Sequence, residues 1–505
     1  MAVASRAQAL QELGERRFDV LVIGGGIVGA GIAAAASAHG LAVALVDRGD
    51  FAGATSSASS KLVHGGLRYL RLGDVGLVRE AHHERRALMQ VVAPQLVHRQ
   101  PFLFPLYEDG PYRPWVVQSG ILLYSTLARA RLNGLVDTKR ASRLVPDLRA
   151  AGLRSCAFYA DAWTNDARLT IANLRSAHET GATVANYAEV TAIRGGEGAE
   201  IVADGHAIAV SARTVVNATG PWVDHVRRLE DPGAARSVRL SKGVHVLVDP
   251  GRPWSAALTI PHDKVRVSFA VPWHGMLLLG TTDTLHDGEP SEARVEESDI
   301  EQVLAEAAVA LEPELVARER VREVYAGLRV LPGGDGATAN ARRETVYSRG
   351  PSGMVSVAGG KLTTYRKIAL DALEHLRPDL GLRKLDRTPR PLPGAAGLAD
   401  VRFPEEIATA TRSHLLELYG SLAGEVLAPA EADPSLLEPL RDDAPDLAAQ
   451  ALYACTHEWA LTAEDVLRRR TTAWLRGTSE QATERVGRVL DGLHSGAEWL
   501  PATHG

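Results

Sequence analysis

Cysteine is nearly absent from this chain. Only two occur in 505 residues, Cys156 and Cys455. Their separation excludes a disulfide framework and a CxxC metal site, and it suits a reducing cytosol. No window supplies ~20 uninterrupted apolar residues, so a membrane-spanning helix is not expected. The opening "MAVASRAQALQELGERRFDV" lacks an apolar core followed by a cleavage site, and no secretory signal is read there. Basic charge is not in excess: the formal net charge is −5, and no Lys/Arg run forms the stripe that a nucleic-acid partner would need. What remains is an ordinary globular composition, 45% apolar and 23% charged. The length suggests two or three domains, and any membrane contact would be peripheral.

The informative stretches begin at residue 18. "FDVLVIG" is a short β-branched run suited to a buried parallel strand. An Ala-rich helical stretch follows, then "LAVALVD" as a second buried strand. Gly24, Gly26 and Gly29 stand at the first turn of this βαβ unit in the spacing GxGxxG. Such glycines allow a tight turn, a close backbone approach to a pyrophosphate, and helix–strand packing. The helix N-terminus offers N–H groups to the phosphates. Asp47, at the end of the second strand, suits a ribose hydroxyl and disfavours a 2′-phosphate. The pattern predicts a dinucleotide without choosing between NAD and FAD.

"TSSASSKLVHGGLRYL" (55–70) comes soon after. Thr55, Ser56, Ser57, Ser59 and Ser60 are short donors, with Lys61 behind them, that could wrap a pyrophosphate and a ribityl chain. His64, Gly65 and Gly66 could pass close along a flavin ring. Taken without the flanking motifs, the segment is better explained as a Ser-rich surface loop followed by an ordinary helix start. In the helical stretch 74–92, His82-His83-Glu84 lacks the HExxH spacing of a metal site, so a solvated face is expected. The helix in 112–132 carries Tyr112, Trp115, Arg129 and Arg131; it reads as a buried amphipathic helix or as one lying at a membrane surface.

Further along, "AEV" (188–190) reads as a strand, and "ARTVVNATGPWVD" as a strand running into Ala218-Thr219-Gly220. Residues 240–285 alternate with period 2 and predict an antiparallel sheet. Arg329 and the pair Arg342-Arg343 have the planar fork that suits phosphate, although a lone Arg usually serves a surface ion pair. "GMVSVAGGKLTTYRKIALDAL" (353–373) is a strand, a glycine turn and a helix whose N-terminus would favour negative charge. "DRTPRPLPGAAG" (386–397) is a Pro/Gly-rich linker, and the chain beyond it is helical.

"IGGGIVGAGIA", "TSSASSKLVHGGLRYL", "VNATGPWVD", "GTTDT", "GLRVLPG" and "GGKLTTYRKIA" occur in the order found in FAD-dependent glycerol-3-phosphate dehydrogenase. From about residue 18 to its end the chain resembles the aerobic, quinone-reducing members of that family. No long insertion of the oxidase kind interrupts its middle.

The resemblance implies an α/β fold, α+β overall: a Rossmann-like FAD-binding domain of the glutathione-reductase/amino-acid-oxidase type, an antiparallel substrate domain and a C-terminal helical domain. The expected boundaries are 18–75, 150–235 and 325–385 for FAD binding, 76–149 and 236–324 for the substrate lid, and 398–505 for a helical cap. It implies non-covalent FAD held by Gly24, Gly26, Gly29, Asp47, Thr55, Ser56, Ser57, Ser60, Lys61, His64, Gly65, Gly66, Val190, Ala218, Gly220, Gly360, Lys361, Leu362 and Thr363. It implies sn-glycerol 3-phosphate held by Arg329 and Arg343, with Arg68 or Lys361 assisting, and Tyr69 lining the pocket. His245 is the first candidate for the base and His64 the second; water and an arginine remain open. Electrons would pass to a membrane quinone from a cytoplasmic protein on the inner face of the plasma membrane, and homodimerisation stays open. The competing readings are an amine or 2-hydroxy-acid oxidoreductase of the amino-acid-oxidase superfamily and a non-catalytic flavin redox sensor.

Overall fold

The computed structural model describes residues 5–67, 74–128, 134–264, 266–333 and 345–494. Its frame is two sheets joined by a chain that passes repeatedly between them.

The first sheet is ordered Thr345–Arg349, Val355–Gly359, His206–Asn217, Arg17–Ile23, Val43–Val46 and Thr183–Ala185. Its central pairs are parallel, with Val20 opposite both Thr214 and Val43. These strands are buried on both faces, which is why "VLVI" and "VALV" read as unbroken apolar runs. On one face lie the helices Ile27–Ala38, Asp166–Glu179 and Tyr365–Leu380. Ala30, Ala33 and Ala36 are fully buried there, and their small side chains bring helix and sheet together. The other face is covered in part by the hairpin of Ala188–Ile193 and Gly198–Ala203.

The second sheet has ten strands among the described residues and is antiparallel except between Ala257–Pro261 and Val97–Tyr107. Two expected boundaries move here. Leu153–Thr164 was placed in the nucleotide half, but it pairs along its whole length with Val97–Tyr107. Val321–Pro332 pairs with Val238–Val248, so the chain returns to the first sheet only after residue 332. A strand's sequence states its period, not its partner.

The solvated face expected for His82-His83-Glu84 is also corrected. His83 is exposed, but His82 and Glu84 are 2% and 4% exposed. His82 packs its ring edge-on to Tyr124, and Glu84 accepts from Nη2 and Nε of Arg366 at 2.7 and 3.0 Å. That cation lies 282 residues further along the chain. The helix Pro114–Leu127 buries Val117, Ile121 and Tyr124 yet leaves Trp115, Val116, Leu122 and Leu123 exposed. Among the described residues no helix is long and apolar enough to cross a membrane.

Residues 386–397 dock on the body instead of swinging free: Leu392 N–H donates to Val92 O at 2.8 Å. Beyond them a helical domain packs its own core around Leu415, Val426, Leu452 and Val486.

Candidate active site

One large cavity, about 1000 Å³, lies between the two sheets and is lined by both. On the parallel side Gly24 adopts φ +108°, and a Cβ there would stand 2.6 Å from Ala218 O. Gly24, Gly26 and Ala218 line the cavity, whereas Gly29 sits behind, where any Cβ would collide with Gly24 O. The helix Ile27–Ala38 starts at this point, and Ile27 N–H donates to Ser56 Oγ at 2.9 Å. Asp47 accepts from Gly25 N–H at 2.6 Å and Gly49 N–H at 2.9 Å. Burial nevertheless pushes its carboxyl up to about 6.

The serine-rich segment forms the floor. Thr55, Ser56 and Ser60 line the cavity; Ser57 and Lys61 do not. Lys61 is 1% exposed and turned away, its ammonium 2.6 Å from the buried Asp166 carboxylate and 2.5 Å from Ser57 O. The same carboxylate accepts from Ser59 Oγ at 2.6 Å. The lysine therefore fixes the loop from behind, between the rings of Trp273 and Tyr325. His64 and Gly66 face the cavity. Gly65 faces the other way, where a Cβ would strike the His82 ring, and its N–H donates to Asp161. Thr363 Oγ1 is 3.1 Å from His64 N and 3.3 Å from His64 O. That contact ties the segment to Gly360, Lys361 and Leu362, which line the cavity at the head of the helix Tyr365–Leu380. Val190 and Gly220 lie on the lining as well.

The antiparallel side supplies side chains through strand register. Across Val238–Val248 and Val321–Pro332, Ser241 pairs with Arg329, Gly243 with Gly327 and His245 with Tyr325. Residues two apart share a face, so Ser241, Gly243 and His245 look the same way. A Cβ on Gly243 would collide with the Arg329 guanidinium, and one on Gly327 with Ala58 O; the glycine pair opens the room between arginine and imidazole. Arg329 Nη2 donates to Thr281 Oγ1 at 2.8 Å and Thr282 O at 3.0 Å. Its Nη1 lies 3.2 Å from Ser241 Oγ and 3.5 Å from Asp283. His245 is 3% exposed, stacks on Tyr325 with ring centres 4.9 Å apart, and shares a 2.9 Å hydrogen bond between Nε2 and Ser60 Oγ. Its Nδ1 is buried with no hydrogen-bond partner. Burial, then the charges of Arg329 and Lys61, hold its pKa well below the usual imidazole value.

Arg68, Tyr69, Arg129, Arg131, Arg342 and Arg343 lie outside the described residues. Sequence reasoning missed Asp166, Tyr325, Gly243 and Gly327. For the glycines a signal existed, since a strand-interior glycine marks a close approach.

A glycine cradle that a Cβ would fill, a helix start, hydroxyl-bearing floor residues and this volume fit FAD. The joining of such a cradle to an antiparallel sheet with buried polar groups defines a flavin-dependent oxidoreductase. Residues 19–366 match the family model described as FAD dependent oxidoreductase, and residues 358–503 match the C-terminal domain of alpha-glycerophosphate oxidase. The chain is 38% identical over 489 residues to glycerol-3-phosphate dehydrogenase 2 of Mycobacterium tuberculosis, covering 92% of this chain and 83% of the relative. It is 33% identical over 496 residues to the glycerol-3-phosphate dehydrogenase of a Synechocystis species, covering 91% and 89%. The solved glycerol-3-phosphate dehydrogenase from Bacillus halodurans, complexed with FAD, superposes with a TM-score of 0.72 at 29% identity over 97% of this chain and 96% of that one. The chain belongs to the glycerol-3-phosphate dehydrogenase family of FAD-dependent oxidoreductases, and its cofactor is FAD.

Proposed function

We propose that this protein oxidises sn-glycerol 3-phosphate to dihydroxyacetone phosphate and passes the electrons to a membrane quinone. The observation that carries the reading is Arg329, a cation on the cofactor cavity steered by the oxygens of Ser241, Thr281 and Thr282, beside the buried imidazole of His245. The relatives' names give the substrate its identity.

Bound FAD supplies the two-electron acceptor for the hydride leaving C2. The protein's part is to hold the phosphate and take the C2 hydroxyl proton. Arg329 brings the cation to the cavity, and its Nη donors, held by Ser241, Thr281, Thr282 and Asp283, would exchange to phosphate oxygens when substrate binds. Lys361 lines the same cavity, and Arg343 and Arg68 belong to the reading but lie outside the described residues. His245 is neutral at pH 7, because burial and Arg329 disfavour its charged form. Taking up a proton at Nδ1 requires the tautomer in which Nε2–H donates to Ser60 Oγ. A phosphate on Arg329 offsets that cation's charge, so substrate arrival raises the basicity of the imidazole. His64, also on the lining, is the second choice for the base.

The exposed Trp115, Val116, Leu122 and Leu123 support approach of a lipid-borne quinone. Their helix also lines the cavity through Val116, Val117, Ile121 and Leu123. The test is the visible spectrum of the holoenzyme without oxygen. Bleaching by sn-glycerol 3-phosphate, but not by glycerol or glycine, is expected; a spectrum unmoved by the phosphate ester removes the substrate assignment. Reoxidation by quinone in vesicles then tests the acceptor.

A further inference from the structure

The C-terminal helical domain reaches the cofactor cavity. Glu464, Asp465 and Arg469 belong to it and line the space, on the same surface as Asp47, Asp50 and Tyr187. Asp465 is fully buried and accepts four hydrogen bonds: from Leu461 N–H at 2.9 Å, Thr462 N–H at 3.0 Å, Arg469 at 2.7 Å and the Tyr187 hydroxyl at 2.7 Å. Asp50, in the loop just after Asp47, is gripped by Arg469 and by the fully buried Arg470, the latter at 2.7 and 2.9 Å.

Tyr187 is the link between these groups. Its N–H donates to Gly49 O at 3.1 Å, and the next residue's N–H donates to Asp47 O at 2.7 Å. Its backbone sits at φ +48°, a conformation costly for a bulky residue and held only where the surroundings enforce it. The strain turns an aromatic ring onto the cavity lining while its hydroxyl is tied to the C-terminal domain.

We propose that the C-terminal domain is a third wall of the FAD site, with Asp465 and Arg469 acting through Tyr187 and Asp50 to latch the Asp47 end of the cavity and slow FAD release. The proposal rests on FAD binding and not on the substrate, so it survives if another substrate replaces sn-glycerol 3-phosphate.

Tyr187→Phe is the clean variant. It removes one hydroxyl, keeps the ring, and leaves Asp465 with three donors, so no buried charge is stranded. Arg469→Lys is the second, because it keeps a positive charge beside the buried Asp465 while giving up the fork that also reaches Asp50. Holoenzyme of each is diluted and the released FAD followed by its fluorescence. Losing a hydrogen bond to a charged group predicts release about tenfold faster or more. The gain in melting temperature on adding FAD should shrink, beyond whatever the apoprotein itself loses. Release within twofold of the parent in both variants overturns the proposal. So does an equal fall in melting temperature with and without FAD, which would assign these contacts to fold stability alone.

Discussion

The two walls of the cavity are built on opposite principles. The parallel-sheet wall offers main chain: at Gly24 and Gly26 the side chain is missing because the backbone itself must come close. The antiparallel wall offers side chains, Arg329 and His245, brought together by strand pairing across more than 80 residues of sequence. A main-chain site stamps its constraint on the residue type, since only glycine fits. A side-chain site leaves ordinary residues whose meaning depends on register.

The contrast can be broken at either wall. The largest effect is expected from Gly24→Val. A branched side chain at φ +108°, already 2.6 Å from Ala218 O at its Cβ, closes the cradle, and the protein should elute colourless from gel filtration. Retained flavin would show that the main-chain wall is dispensable. Next comes His245→Ala, which should keep its FAD and slow anaerobic flavin reduction by about 10²–10⁴; a loss below tenfold hands the proton to His64 or water. Arg329→Ala should raise KM by roughly 30-fold or more, from the ~2 kcal/mol or more that a desolvated charge contact contributes, with flavin content unchanged. An unchanged KM moves the phosphate elsewhere.

The smallest effect concerns the segment between the walls. His82, behind Gly65, has its pKa pushed down by burial to about 3. The unfolded chain binds that proton near pH 6.5 and the folded one does not until about pH 3, so the stability present above pH 6.5 drains as pH falls. His82→Leu should therefore flatten the acid decline by up to about 1.4 kcal/mol per pH unit, read from denaturant midpoints at pH 7 and 5.5. An unchanged slope would leave His82 protonating as in water.

The fold was legible where one residue type has one reason to be there. The βαβ unit announced itself through Gly24, Gly26 and Gly29 between β-branched runs. The antiparallel sheet expected over 240–285 is present, but its strands Val238–Val248, Ala257–Pro261 and Met276–Gly280 are buried on both faces and do not alternate. Failures came where a partner lies far away in the chain. Nothing near Lys61 says that Asp166 waits behind it, and nothing near Glu84 points to Arg366, so one looked like a cofactor ligand and the other like a solvated acid. The strand Leu153–Thr164 was not read as one, and its stretch was assigned to the nucleotide half, because pairing is a property of the whole topology. Arg329 stood out through family resemblance and His245 because an imidazole suits a base near neutral pH; their spacing carries no local signal.

The cavity lining draws on residues from Ile23 to Thr363 and then, about a hundred residues later, on Glu464, Asp465 and Arg469. A ribosome must therefore finish nearly all of this protein before its cofactor has a complete place to go. A nascent chain halted before Glu464 lacks the last three residues of that lining.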